Sequence, residues 1–220
     1  MTELLERMDA FFDSRLAGYD RHQRTEIAGA EAFYPLTASL LPREKGARVL
    51  DLGCGTGLEL EDYFRLNPQA RVTGIDLAPG MLAALRAKFP GRALTLRCQS
   101  YFACPLGEGL YDAAVSVESL HHFSAVQKFP LYRRVRAALK EGGTFVLTDY
   151  FADTEEEEAR NFVELARLRA AQGLDDKAFY HYDTPLTAAR EARVLRAAGF
   201  ARVEERGRWG QTHTLVCAAR

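Results

Sequence analysis

The stretch Val49-Leu50-Asp51-Leu52-Gly53-Cys54-Gly55-Thr56-Gly57 constrains this chain more than any other part of it. A short apolar run ends in an acid, and glycines then alternate. The run Arg48–Leu52 reads as a buried strand, because it is apolar, short and followed at once by turn chemistry. Gly53, Gly55 and Gly57 allow a tight strand-to-helix turn and let a ligand approach the backbone closely. The helix expected next, Leu58–Leu66, points its free N–H groups back at that turn.

The spacing separates two kinds of ligand. A dinucleotide site uses G-x-G-x-x-G/A, with the pyrophosphate on the helix N-terminus. Here the spacing is G-x-G-x-G and position 58 is Leu. Asp51, just before the glycines, would repel a pyrophosphate but suits a cationic ligand. S-adenosylmethionine (SAM) carries an α-ammonium and a sulfonium. The string V-L-D-L-G-C-G-T-G resembles motif I of class I SAM-dependent methyltransferases. That resemblance covers about Gly46 to the C-terminus, and residues 1–45 match loosely. It implies SAM as cofactor, S-adenosylhomocysteine as product, and cofactor contacts from Asp51, Gly53, Cys54, Gly55 and Gly57.

The chain has 220 residues, 47% hydrophobic and 27% charged, enough for one domain with a substantial core. A net charge of −1 gives no general case for nucleic acid or an anionic membrane as partner. No apolar run approaches the roughly 18 residues of a membrane span. Residues 1–9 carry acids and no apolar core, so a secretory signal is not expected. Four cysteines, Cys54, Cys98, Cys104 and Cys217, form no C-x-x-C pair, which suits reduced thiols in a cytoplasmic protein.

Residues 3–17 place Leu4, Leu5, Met8, Phe11, Phe12 and Leu16 on one helical face, a lid over the cleft or a helix on the core edge. Tyr19, Asp20 and His22 are expected after that helix, and a second helix over about 25–41. Strands Arg71–Asp76, Ala93–Cys98, Tyr111–Val117 and 144–148 then alternate with helices, one opened by Pro79 and one over 124–139 broken near Pro130. Alternation means right-handed crossovers and a parallel sheet. Thr154 and Glu157 read as a capping box that starts a helix over 155–172. An aromatic loop over 173–184, a helix over 187–198 and strands 203–208 and Thr212–Ala218 finish the chain. The expected fold is α/β: a doubly wound, seven-stranded, mostly parallel sheet of the Rossmann-like methyltransferase kind. An N-terminal helical lid, 1–45, precedes a SAM-binding core, 46–220.

Asp76 lies 25 positions after Asp51, at the carboxyl end of the second strand, where an acid can accept ribose hydroxyls. Leu77 and Met81 would flank the adenine. Where the family often has an acid after the third strand, this chain has Ser100, Tyr101 and Phe102. Ser100 offers one hydrogen bond and either aromatic a stacking surface. The segment after the fourth strand borders sulfonium and substrate in the family, which assigns Val117 and Glu118 to the cofactor. His121 and His122 follow, expected to point different ways. A histidine there can deprotonate a nucleophile near neutral pH or shape the pocket, and His122 is assigned to the site. Resemblance adds Tyr19. One wall of His121, His122, Tyr150, Tyr180, His181 and Tyr182 is expected around the transferred methyl. The five histidines lack H-x-x-x-H or H-E-x-x-H spacing, so no metal is expected.

The implied activity is methyl transfer to the O, N or S of a small-molecule acceptor by a monomer or homodimer. The alternatives are a SAM enzyme of other chemistry, such as a carboxy-SAM synthase, an NAD-dependent oxidoreductase, or a non-catalytic nucleotide-binding module.

Overall fold

A computed structural model of the protein describes residues 4–175 and 177–219. Positions 1–3 of the expected lid and position 176 of the aromatic loop lie outside the described residues. The sheet runs β3 (Ala93–Cys98), β2 (Arg71–Asp76), β1 (Arg48–Leu52), β4 (Tyr111–Val117), β5 (Leu139–Tyr150), β7 (Thr212–Ala218), β6 (Arg202–Trp209). Strands β1 to β5 pair in parallel, while β7 runs antiparallel between β5 and β6. The chain leaves β1 toward β2 on one side and later enters β4 on the other. That reversal opens a crevice at the carboxyl ends of β1 and β4.

Strand side chains alternate between two cores. Leu50, Leu52, Phe145 and Leu147 face one, with α5 (Ala125–Ala138) and α7 (Ala188–Ala197). Val49, Val115, Val117 and Val146 face the other, with α2 (Ala30–Ser39) and α3 (Leu58–Leu66). Burial on both faces explains why these strands read as continuous apolar runs. Helix α4 (Pro79–Lys88) follows β2 with its proline in the first turn. None of the described helices is long and apolar enough to cross a membrane.

The first helix departs most from expectation. α1 runs Met8–Thr25, so Tyr19, Asp20 and His22 lie within it. Tertiary bonds carry it past Gly18: Asp13 accepts from Gly80 N–H (2.9 Å), and Asp20 from Thr56 Oγ1 (2.5 Å) and Lys88 Nζ (2.5 Å). α2 buries Phe33, Tyr34 and Ala38 in the core, while Tyr19 of α1 stands over Gly55 of the glycine turn. Pro130 does not break α5, since its lost partner would be the carbonyl of Val126, a residue 83% exposed and open to water. A reciprocal capping box of Ser124 and Gln127 starts that helix. In α6 (Glu155–Gln172) Thr154 caps as expected, but Glu157 accepts from Asp153 N–H (2.8 Å), so only half the box forms.

Candidate active site

The glycine turn is held from below. Gly53 N–H donates to Ile75 O (2.8 Å) and Gly55 N–H to Asp76 Oδ2 (2.8 Å). Gly53, Gly55 and Gly57 all have positive φ, at 72°, 45° and 73°. Two of them do different work. A Cβ at Gly53 would stand 1.9 Å from Ser119 Oγ, so this glycine lets the turn pack against the segment after β4. At Gly55 the nearest atom is Tyr19 Oη, 3.8 Å away, so its backbone faces open space beneath α1. Cys54 contributes only backbone, because its thiol is buried against Gly74 of β2.

Asp51 is 1% exposed, and among the described residues no N–H or O–H donor reaches its carboxylate, which faces the carboxyl of Glu59 at hydrogen-bonding range. Glu59, buried in the first turn of α3, leaves Oε1 unpartnered as well. Burial, then mutual repulsion, holds Asp51 well above the usual carboxylate range, and burial raises Glu59 too. Asp76 is oriented by Gly55 and by Ala78 N–H on Oδ1 (2.9 Å). Gly53, Gly55, Asp76, Leu77, Met81 and Tyr101 line a narrow cleft of about 40 Å³, closed by Met8, Phe12 and Tyr19 of α1. Glu118, Ser119 and His122 form its far end. Asp51 is not part of that lining.

Several expected cofactor residues sit elsewhere. Ser100 Oγ accepts Phe102 N–H (3.2 Å) and caps its own turn. The Phe102 ring packs on Phe123 (4.7 Å) and Phe179 (5.5 Å), in the core rather than in the cleft. Val117 is buried at the end of β4. Glu118 has φ +48°, a conformation uncommon outside glycine, which turns its side chain from the strand toward Thr212 Oγ1 (3.0 Å). Burial raises its carboxyl to about 7.

Beyond Glu118 a second cavity opens, about 940 Å³, lined by α1, the ends of β4 and β5 and the late loop. Phe12, Tyr19, Glu118 and His122 border both cavities. Burial and the negative charge of Asp76 push the Tyr19 hydroxyl far up, so it stays a neutral phenol. Of the expected wall, His121, His122, Tyr150 and His181 do line the large cavity. Tyr180 lines a separate pocket beneath α6, and Tyr182 offers its carbonyl to His122 Nδ1 (3.2 Å).

The two histidines do not diverge. They lie on one 3-10 turn, Leu120–His122, with ring centroids 4.0 Å apart. His121 Nδ1 bonds Asp149 Oδ1 (2.6 Å), and Asp149 is fixed by Leu120 N–H (2.9 Å) and Tyr150 N–H (3.0 Å). Both rings turn to one oxygen of Asp183, at 3.1 Å from His122 Nδ1 and 3.5 Å from His121 Nε2. Burial opposes charge on His121, but Asp149 and Asp183 outweigh it and raise its pKa well above the ordinary value. Burial and the neighbouring His121 lower His122. Neither Asp149 nor Asp183 had a role in the sequence reading. Their signals in the sequence were, for Asp149, its place with Tyr150 after the fifth strand at the same sheet edge and, for Asp183, the titratable density of Phe179-Tyr180-His181-Tyr182-Asp183.

A sequence family described as "Methyltransferase domain" matches residues 49–143, from β1 into β5. The chain is 32% identical to the trans-aconitate 2-methyltransferase of Methylobacterium nodulans, over 68% of this chain and 59% of that protein. It is 25% identical to the carboxy-S-adenosyl-L-methionine synthase of Campylobacter concisus, over 80% of this chain and 77% of that protein. Residues 49–143 are a methyltransferase domain, and the motif and fold around them are those of the class I SAM-dependent methyltransferases. Human N-acetylserotonin methyltransferase, solved with SAM, shares the fold at a TM-score of 0.66 and 17% identity, over 94% of this chain and 56% of that one. Several curated relatives are matched over only 40–59% of their own length.

The family's cofactor is SAM, and the site fits it. Asp51 and Glu59 are a buried acidic pair beside the glycine turn whose charge a cationic ligand would offset, and Asp76 keeps lone pairs for hydroxyls once its two N–H partners are counted. Asp76→Ala is expected to weaken SAM binding by roughly 1.5–3 kcal/mol, the range for a hydrogen bond to a charged group. Titration calorimetry measures this, and unchanged affinity would place the ribose elsewhere.

Proposed function

We propose that this protein transfers the methyl group of SAM to a small-molecule acceptor held in the 940 Å³ cavity. The observation that carries the reading is the shared border: Phe12, Tyr19, Glu118 and His122 belong to both cavities, so a cofactor in one meets an acceptor in the other there. Bound SAM supplies an already activated carbon, so the protein's task is to align acceptor and methyl and exclude water. The cofactor cleft of about 40 Å³ is far below the roughly 300 Å³ of a small-molecule site. Phe12 and Tyr19 fill the difference, so α1 is the lid and shifts outward to admit SAM. A protonated acceptor loses its proton at the histidine group, where His122 reaches the shared border.

A carboxylate donor, as in carboxy-SAM chemistry, would call for a fixed cation. Among the described residues lining the cofactor cleft none is Arg or Lys, and of Arg15 and Arg21, which line the acceptor cavity, Arg15 is paired with Glu6 at 2.7 Å. Arg134 is spent on the carbonyls of Tyr101, Phe102 and Cys104. Methyl transfer is therefore the reading the site favours.

Calorimetry with SAM, S-adenosylhomocysteine and NAD tests the cofactor, with binding of the first two expected. Release of S-adenosylhomocysteine against a panel of hydroxyl, carboxyl, amine and thiol acceptors tests the activity. His122→Ala is expected to lower turnover of a hydroxyl acceptor by roughly 10²–10⁴-fold while SAM affinity stays near wild type. Equal loss of both would make His122 a structural support of the cofactor cleft.

A further inference from the structure

Three ring nitrogens converge on one carboxylate oxygen at the floor of the acceptor cavity. Asp183 Oδ1 stands 3.1 Å from His122 Nδ1, 3.5 Å from His121 Nε2 and 4.0 Å from His181 Nε2. The donor atoms of His121, His122 and Asp183 all lie within 4.8 Å of one another. Ligands held at about 2.0–2.2 Å from a first-row divalent ion stand roughly 3–3.5 Å apart along the edges of the shell. The two contacts to His121 and His122 have that length.

The surroundings match as well. Asp149 takes the Nδ1 proton of His121 at 2.6 Å, which turns the Nε2 lone pair toward the cluster. Asp149 is itself anchored by two backbone N–H groups, Leu120 and Tyr150. A carboxylate behind a histidine is the usual outer partner of a metal ligand, fixing tautomer and ring. His121 and His122 are buried, while the Asp183 side chain is 49% exposed and faces the cavity. The protein therefore supplies one side of a coordination shell and leaves the other open.

We propose that His121 Nε2, His122 Nδ1 and Asp183 Oδ1 bind a divalent transition-metal ion of the zinc or iron(II) type, open to the acceptor cavity, with His122 Nδ1 releasing to solvent the proton it otherwise donates to the Tyr182 carbonyl. Two imidazoles and one carboxylate favour such ions over magnesium or calcium, which prefer oxygen. His181, stacked on Phe11 at 3.5 Å, is placed to join as a fourth ligand after a side-chain rotation. The consequence rests on the methyltransferase reading. An acceptor oxygen or sulfur would take an open position, and the ion would lower its pKa so that its proton passes to water in the cavity; with the ion bound, His122 would act on the acceptor as a ligand of that ion and not as the base. The acceptor then belongs to the metal-binding hydroxyls, carboxylates or thiols.

The test uses the full chain, stripped with a chelator and titrated with Zn²⁺ in the absence of SAM and acceptor. One ion per chain is expected, with affinity falling at least tenfold in Asp183→Asn and in His122→Gln. Asp149→Asn, which leaves the three proposed donor atoms in place and removes the carboxylate behind His121 Nδ1, is expected to weaken binding 10–100-fold. Cys98 is an exposed thiol and a competing site, so Cys98→Ser must leave binding intact. Circular dichroism accompanies each variant, and the two ligand variants are independent if one fails to fold. No stoichiometric binding, or binding lost in Cys98→Ser and kept in Asp183→Asn and His122→Gln, overturns the site. Either result leaves SAM binding and S-adenosylhomocysteine release to decide the methyltransferase reading separately.

Discussion

Lys128→Met is expected to destabilise the protein by about 3–5 kcal/mol, because it strands a buried charge. Lys128 is 1% exposed and Glu191 0%. The ammonium donates to Glu191 Oε2 at 2.6 Å, and Tyr132 Oη donates to the other oxygen. This group joins α5 to α7 across the core behind the acceptor cavity. With the lysine gone, Glu191 keeps one neutral donor for a charge that no water reaches. The group need not be a source of net stability, since burying three polar side chains costs most of what their bonds return. Replacing all three, as Lys128→Met, Tyr132→Phe and Glu191→Met, is therefore expected to recover most of the loss. Urea denaturation of the single and triple variants decides it. A single variant within about 0.5 kcal/mol of wild type would mean that water reaches Glu191.

The sequence carried the sheet well because buried strands announce themselves. β1 to β4 fall where the apolar runs lie, and the glycine turn follows from the string itself. The extent of α1 was hidden for the opposite reason. Its second half is secured by Asp13 on Gly80 and Asp20 on Thr56 and Lys88, contacts 36–68 positions apart that leave no periodic trace. The same holds at the site. Asp76 was legible because its position at a strand end defines its reach. The pairing of His121 with His122 was not, since adjacent residues point to opposite faces on a strand but only about 120° apart on a 3-10 turn, where their rings stand 4.0 Å apart. Aromatic density around 179–183 marked a loop that reaches the acceptor cavity, though its members divide: Phe179 packs on the core, Tyr180 lines another pocket, Tyr182 gives its carbonyl to His122, and Asp183 gathers the histidines.

Asp51→Asn is expected to stabilise the free protein and remove its affinity for SAM, and the two effects have one cause. Asp51 and Glu59 form a buried carboxylate pair without a cation, both held above the ordinary carboxylate range by burial. A raised folded-state pKa means that the folded chain binds a proton more tightly than the unfolded one. Its contribution is intact below the unfolded value near 4 and is lost as pH rises through the folded value. The free chain is therefore expected to be less stable at pH 8 than at pH 6. An asparagine amide can donate to Glu59 and needs no proton, so the variant gains roughly 1–3 kcal/mol at pH 8 and its dependence flattens. Binding changes the other way. The ligand's ammonium is the partner this pair lacks, and removing one member of a buried charge pair costs about 3–5 kcal/mol, a loss of at least a hundredfold. Urea midpoints at both pH values, with SAM calorimetry on the same samples, measure the two effects together. Lower stability with unchanged SAM affinity would show that Asp51 supports the strand and not the cofactor. A rise in stability with wild-type affinity would place the ammonium elsewhere, leaving Glu118 as the acid nearest the shared border of the cavities.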